Sequence, residues 1–372
     1  MYSQDELNSL LEIMIRETAS DLILTQEQPP ILRINGDLSP VPGWHTLSSD
    51  KVWQMVAGFL NEEQKASFLR DHELDTSFGV ANRARFRLNV FRQRGAVCAV
   101  MRMLPHQIPT IESLGLSPVV KSWLEVPHGL LITTGPTGSG KSTSQAAMIG
   151  YLNQRKPYHI VTIEDPIEFV HSHGTCTIEQ RGLGEDTRSF GEALKRVFRQ
   201  SPDVIMIGEM RDRETFETAL ELAETGHLVL ATLHTGDAAQ AISRIIDVFP
   251  SDEHEQIRVQ LSLALIGIIV QQLVPRVDGR GRVLAVELLQ ATSAIRNLIR
   301  KNDLQQIYSV VQTSSAEGMT TMNDSLLRLF REGHISLEQA VLFTSRRKEL
   351  EQMVSRIPRE AAKLREKETA RV

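Results

Sequence analysis

The run Gly135-Pro136-Thr137-Gly138-Ser139-Gly140-Lys141-Ser142, followed by Thr143, decides how the second half of this 372-residue chain is read. It is a full match to G-x-x-x-x-G-K-[ST] and stands between an apolar stretch of strand character at 130–133 and a stretch of helical character. Strand, glycine-rich turn and helix in that order gather backbone N–H groups at a helix start, where free donors and the helix dipole favour an anion. The glycines let the backbone close around phosphates, Lys141 can reach the terminal phosphates, and the Ser142 hydroxyl can ligate Mg²⁺. The ligands implied are ATP and Mg²⁺.

Working outward, apolar strands are expected at 159–163, 204–207, 228–233 and 283–288, alternating with helical stretches, the signature of a parallel α/β sheet. The segment Pro202-Asp203-Val204-Ile205-Met206-Ile207-Gly208-Glu209 is an apolar strand ending in an acid. Hydrolysis needs a carboxylate to orient the attacking water, and Glu209 is the candidate catalytic base. The acidic group Glu164-Asp165-Pro166-Ile167-Glu168 follows another strand, so Glu164 and Glu168 are expected at the same carboxyl edge, where they could hold Mg²⁺ or its waters. Two histidines bracket the strand at 228–233. His234, at its carboxyl end, is placed to sense a terminal phosphate, whereas His227 at the far end suits a subunit contact; a purely structural histidine is the alternative for each.

The first 107 residues have a different texture, that of an α+β domain. Helices are expected at 5–19, 50–59 and 62–69, with short strands at 22–24 and 31–34. From Arg83 to Val90 the residues alternate with period two: Ala84, Phe86, Leu88 and Val90 face a core, and Arg83, Arg85 and Arg87 face away, with Arg92 and Arg94 beyond. Such an arginine face suits an anion, and an arginine donated to a neighbour's nucleotide would make hydrolysis depend on assembly. The alternative is a solvated or ion-paired strand face. A proline-punctuated linker at 108–128, an ATPase domain at 129–345 and a charged helical extension at 346–372 complete the expected organisation.

Composition excludes several classes. Hydrophobic residues at 41% and charged residues at 23% are those of a globular chain rather than a disordered one. A net charge of −5 provides no general attraction to nucleic acid, so no nucleic-acid partner is expected. Two distant cysteines, Cys98 and Cys176, cannot make a four-thiolate zinc site and suit a reducing compartment. The acidic amino terminus precedes no signal-type apolar core, and the apolar run at 261–270, interrupted by Ser262 and Gly267, is far short of the roughly 20 residues that span a bilayer. The chain is expected in the cytoplasm, without direct membrane insertion.

The order of these motifs resembles the type IV pilus retraction ATPase family over nearly the whole chain. The segments that carry the resemblance are Ala19-Ser20-Asp21-Leu22, Arg85-Phe86-Arg87-Leu88-Asn89, the phosphate-binding run, Ile163-Glu164-Asp165-Pro166-Ile167-Glu168-Phe169, Gly208-Glu209-Met210-Arg211-Asp212 and the stretch from Thr225-Gly226-His227 to Thr232-Leu233-His234. The resemblance implies a RecA-like P-loop ATPase core preceded by a smaller PAS-like α+β domain, with nucleotide bound between them. It also implies a homohexamer, arginines arriving from domains that move, and an inner-membrane pilus platform protein as partner. Ala294-Ile295-Arg296-Asn297-Leu298-Ile299, by pattern an amphipathic core helix, is similar to a motif that the family associates with retraction. Asp186-Thr187-Arg188-Ser189-Phe190 is similar instead to the accessory branch, which leaves room for a paralogous retraction ATPase beside this one. The alternatives are a pilus-assembly or secretion ATPase, a nucleic-acid motor and, more remotely, a small-molecule kinase.

Overall fold

A computed structural model describes residues 2–34, 36–80, 84–104, 107–279 and 281–356, which form two compact units. The first comprises residues up to Ile108 together with Pro166–Val170; the second comprises Pro109–Asp165 and the chain from His171 onward.

The first unit is built on six antiparallel strands, β1 (Asp21–Leu24), β2 (Ile31–Ile34), β3 (Asp37–Pro40), β4 (Glu73–Val80), β5 (Ala84–Gln93) and β6 (Ala96–Leu104), in the order β3-β2-β1-β6-β5-β4. Leu7, Leu10, Leu11 and Met14 are spaced i, i+3, i+4, i+7 along the helix Tyr2–Arg16 and form the stripe it buries. That stripe meets Leu22, Leu24, Phe86, Leu88, Val90, Ala99 and Met101 of the sheet, with Val52, Met55 and Val56 from the helix Ser49–Ala57. The period-two alternation of β5 therefore decides which face is core. Across the other face Arg33, Asp21, Arg102 and Arg87 stand in one register row.

The second unit carries β7 (Gly129–Thr134), β8 (His159–Glu164), β9 (Thr177–Gly182), β10 (Val204–Ile207), β11 (Leu228–Leu233), β12 (Leu265–Pro275) and β13 (Arg282–Gln290) in the order β13-β12-β7-β11-β10-β8-β9. Neighbours are parallel except at one edge: β13 returns antiparallel to β12, so the stretch at 283–288 does not join the parallel array as expected. The reason is the short connection from Pro275 to Arg282, long enough for a hairpin and too short for a helical crossover. Each central strand is buried on both faces. Leu130 and Ile132 pack with the helices Arg213–Glu224 and Ala238–Asp247, and Leu131 packs on the opposite side with Ala147, Met148 and Ile149 of the helix Lys141–Asn153.

Two stretches differ from a plain reading of the pattern. The apolar run at 261–270 is two elements, the helix His254–Ala264 and β12, which meet at Leu265, where the backbone turns extended. Among the residues between the first sheet and β7, Ile111, Leu116, Val120, Trp123 and Leu124 are buried in the second unit's core.

Candidate active site at the carboxyl edge of the second sheet

Because β7, β11, β10 and β8 are adjacent and parallel, their carboxyl ends open on one edge, where ligands of open α/β sheets bind. The phosphate-binding run leaves β7, His234 follows β11, Glu209 follows β10, and Glu164 closes β8. The sequence predicts this gathering, and the topology brings it about.

The run itself is held from beneath. Gly135 has φ 146°, and a Cβ there would sit inside the Gln271 carbonyl oxygen and 2.8 Å from Ser139 Oγ, so only glycine fits. Gly140, at φ 90°, precedes the helix Lys141–Asn153. Pro136, Thr137 and Gly138 are exposed at the tip, while Ser139 is buried and its hydroxyl has no hydrogen-bond partner among the described residues. Gln271 of β12, fully buried, donates to Ser144 Oγ at 2.6 Å, and Gln145 donates to the Ala231 carbonyl at 3.2 Å, so both neighbouring strands fix the helix start. A backbone cradle closed by glycine, a helix N-terminus and an unpartnered buried hydroxyl fit a phosphate group.

Lys141 is 8% exposed and folds over this cradle, donating to the carbonyls of Gly135 at 2.8 Å and Pro136 at 3.1 Å, with His234 Nδ1 at 3.4 Å. The other ring nitrogen of His234 lies 3.4 Å from Glu209 Oε1. An ammonium can only donate, so this arrangement asks for a lone pair at Nδ1 and the proton at Nε2, toward Glu209. The second oxygen of Glu209 accepts from Arg211 at 2.7 Å. That guanidinium, helped by His234 and opposed by partial burial, holds the Glu209 carboxyl below the usual carboxylate range. The four side chains form one line, Lys141–His234–Glu209–Arg211. The backbone beneath is knitted across strands: Thr232 Oγ1 donates to the Gly208 carbonyl, the Met210 N–H to Thr232 O at 3.1 Å, and the Gly208 N–H to Ile163 O at 2.8 Å. Glu164, 8% exposed, accepts from Thr162 Oγ1 at 2.7 Å and Gln180 Nε2 at 3.0 Å.

Of the remaining expected residues, two stay at the cradle and the others fall elsewhere. Ser142 and Thr143 open the Lys141–Asn153 helix and are partly exposed. Glu168 belongs to the segment that groups with the first unit, as do the arginines. Arg85 donates to Ser77 Oγ at 2.6 Å, Arg87 pairs with Asp75 at 3.6 Å, and exposed Arg92 donates to the Gly95 carbonyl at 2.9 Å; Arg83 lies outside the described residues. His227 stands at the amino end of β11, a strand length away from His234, with Nδ1 3.0 Å from the Leu222 carbonyl and its ring edge-on to Phe198. Ala294–Ile299 lie in the helix Ser293–Lys301, burying Ile295, Leu298 and Ile299 and exposing Ala294 and Asn297. Arg296 donates to the carbonyls of Ala291 (2.8 Å), Leu263 (2.7 Å), Leu265 (2.9 Å) and Ser262, sealing the junction where the His254–Ala264 helix becomes β12. Of the extension, 357–372 lie outside the described residues. Sequence reasoning assigned no site role to Arg211 or Gln271. The short Glu209-Met210-Arg211 spacing was a usable signal for the first, whereas nothing local marks the second.

Residues 70–342 match the family described as type II/IV secretion system protein. The chain is 43% identical to the type IV pilus ATPase PilU of Pseudomonas aeruginosa, over 94% of this chain and 91% of that one. It is 45% identical to the type IV pilus retraction ATPase PilT of the same organism, over 90% and 97%. A crystal structure of the pilus retraction motor PilT with bound ADP superimposes with a TM-score of 0.87 at 47% identity, covering 92% of this chain and 98% of that one. The chain therefore belongs to the type II/IV secretion system protein family, among its type IV pilus ATPases.

Proposed function

We propose that this chain is the ATP-hydrolysing motor of type IV pilus retraction, working at the carboxyl edge of β7, β11, β10 and β8. The observation that carries the reading is the line Lys141–His234–Glu209 lying against a phosphate cradle that admits only glycine at position 135.

In this reading the backbone of 135–143 and the Lys141 ammonium hold the β- and γ-phosphates of ATP. Glu209, ionised beside Arg211, accepts a hydrogen bond from the attacking water and aims it in line. Its lowered proton affinity makes it an orienting group more than a strong base, which suits a loose phosphoryl-transfer transition state. His234, between the phosphate-side cation and the water-side anion, registers whether the terminal phosphate is present. Ser142, with Glu164 or Glu168, would hold Mg²⁺ or its waters; when bound, the ion neutralises phosphate charge. Arg85, Arg87 and Arg92 are candidates for stabilising transferring charge across a subunit boundary, with Arg83 a further candidate by sequence. The assembly proposed is a homohexamer acting on an inner-membrane platform protein, alone or beside a paralogous retraction ATPase.

The test is complementation with wild type, Lys141→Ala and Glu209→Gln in a retraction-defective strain, with nucleotide binding and turnover of the purified proteins. Wild type should restore twitching. Lys141→Ala should lose binding, and Glu209→Gln should keep binding while turnover falls about 10²–10⁴-fold. Deletion of the gene that leaves bare cells, rather than cells with excess surface pili, would replace retraction with assembly. Turnover per chain that is unchanged on dilution to a monomer would refute the shared site.

A further inference from the structure

We propose that Glu287 is a positioning residue that braces the loop carrying His234 against the carboxy-terminal helices, so that a change at the nucleotide site reaches the helix Met322–Arg331. The inference rests on the proposed nucleotide site and adds to it a route outward.

Glu287 lies on β13 opposite Val270 of β12 and is 6% exposed. Its carboxyl group accepts the Ala238 N–H at 3.0 Å, and the Met322 backbone N–H favours its ionised form. These are the first residues of the helices Ala238–Asp247 and Met322–Arg331, so two helix N-termini, each with partial positive charge, converge on one side chain. Both helices are tied further. Three residues before Ala238, the Thr235 N–H bonds Thr134 Oγ1 at 2.8 Å, and Thr134 is the last residue of β7 before the phosphate run. His234 is next to Thr235. On the other side, Thr320 and Leu288 exchange both backbone bonds, at 2.8 and 3.1 Å, and Ser325 Oγ accepts the Val286 N–H at 3.0 Å. Glu287, between Val286 and Leu288 on β13 and bonded to Ala238, joins these two sets.

Its charge argues that the residue is kept for more than stability. Burial pushes its proton affinity up, opposed by the two helix N–H groups and Arg346 and reinforced by Asp237. A carboxyl that binds its proton more tightly folded than unfolded loses stabilising effect as pH rises through the folded value, so at neutral pH the ionised form is the costly one. An apolar residue of similar volume would be easier to bury. What an apolar residue cannot do is accept the Ala238 N–H and place negative charge where two helix N-termini favour it. Glutamine keeps the volume but loses that charge, and one of its two terminal atoms donates instead of accepting.

Hydrogen exchange with and without the non-hydrolysable analogue AMP-PNP tests this. In wild type, AMP-PNP should slow exchange in both helices, Ala238–Asp247 and Met322–Arg331. In Glu287→Gln the response should persist in the first and be lost in the second. Glu287→Asp, which keeps the charge but retracts it by one methylene, should at least halve the response in the second and serves if the glutamine variant does not fold. An equal response of Met322–Arg331 in wild type and a folded variant would overturn the inference alone. Failure of wild type to bind AMP-PNP would overturn it together with the proposed function.

Discussion

Arg296→Ala should destabilise the second unit by about 3 kcal/mol, although the residue lies outside the phosphate cradle. The guanidinium donates to four backbone carbonyls, those of Ala291, Ser262, Leu263 and Leu265. Three of these belong to the end of the His254–Ala264 helix and the start of β12, where carbonyls have no helical partner. A hydrogen bond to a charged donor is worth about 1.5–3 kcal/mol when buried, but this side chain is only half-buried and water can reach part of the site, so roughly 0.75 kcal/mol per carbonyl is a fair value. Arg300, which donates to Ser262 Oγ at 3.2 Å, does not take over the carbonyls. At about 2–4 °C per kcal/mol for a unit of this size, the melting midpoint should fall by about 6–12 °C. Differential scanning calorimetry measures it. Asn297→Ala, one residue along but exposed, should stay within about 0.5 kcal/mol, and Arg296→Lys, with one ammonium in place of a fork, should fall between. Arg296→Ala melting within 2 °C of wild type, or no lower than Asn297→Ala, would refute the view of this side chain as a helix-to-strand clamp.

Gly135→Ala should abolish ATP binding in a nucleotide-dependent thermal shift assay, because a Cβ meets the Gln271 backbone, which cannot move without shifting β12; retained binding would show that β12 does not set the cradle. Arg211→Ala should move the acid limb of kcat/KM upward toward the ordinary carboxylate range, since the guanidinium is the largest influence holding Glu209 low; an unmoved limb would remove Glu209 from the titration. The same sign holds for stability: the Glu209–Arg211 pairing contributes at neutral pH and is lost as pH falls through the folded value. His234→Ala should lower kcat at least tenfold, whereas His227→Ala should cost about 1 kcal/mol of stability without moving KM, its ring being occupied with the Leu222 carbonyl and Phe198. Equal kinetic losses in the two variants would mean that the end of β11 is not what distinguishes them.

What the sequence made legible was local. A glycine-lysine-serine turn between strand and helix, an apolar strand closing on Glu209 and the alternation at 84–90 each carry their own periodicity or fixed spacing, and each appears as an element in the structure. Less legible were features set by partners distant in sequence. The run 261–270 is largely apolar on both sides of the break, Leu261 and Ala264 being buried at the helix end and Ile268, Ile269 and Val270 in the strand, so Leu265's extended backbone and the Arg296 clamp mark what hydropathy does not. Glu287 sits in an apolar strand pattern as one acid among many; its two helix partners are 49 and 35 residues away.

Strand order shows most clearly why chemistry could be named before geometry. In the chain, β7, β8, β10 and β11 occur in that sequence, and nothing local says which are neighbours. In the sheet β11 lies between β7 and β10, so the last of these four strands to be made separates the lysine's strand from the glutamate's. That insertion allows one residue, His234, to approach Lys141 with one nitrogen and Glu209 with the other. Were β10 beside β7 instead, Glu209 would abut the cradle and the histidine would have nothing to bridge. If Lys141 holds phosphate and Glu209 orients water, as proposed, the observed order would make the two meet in a single imidazole.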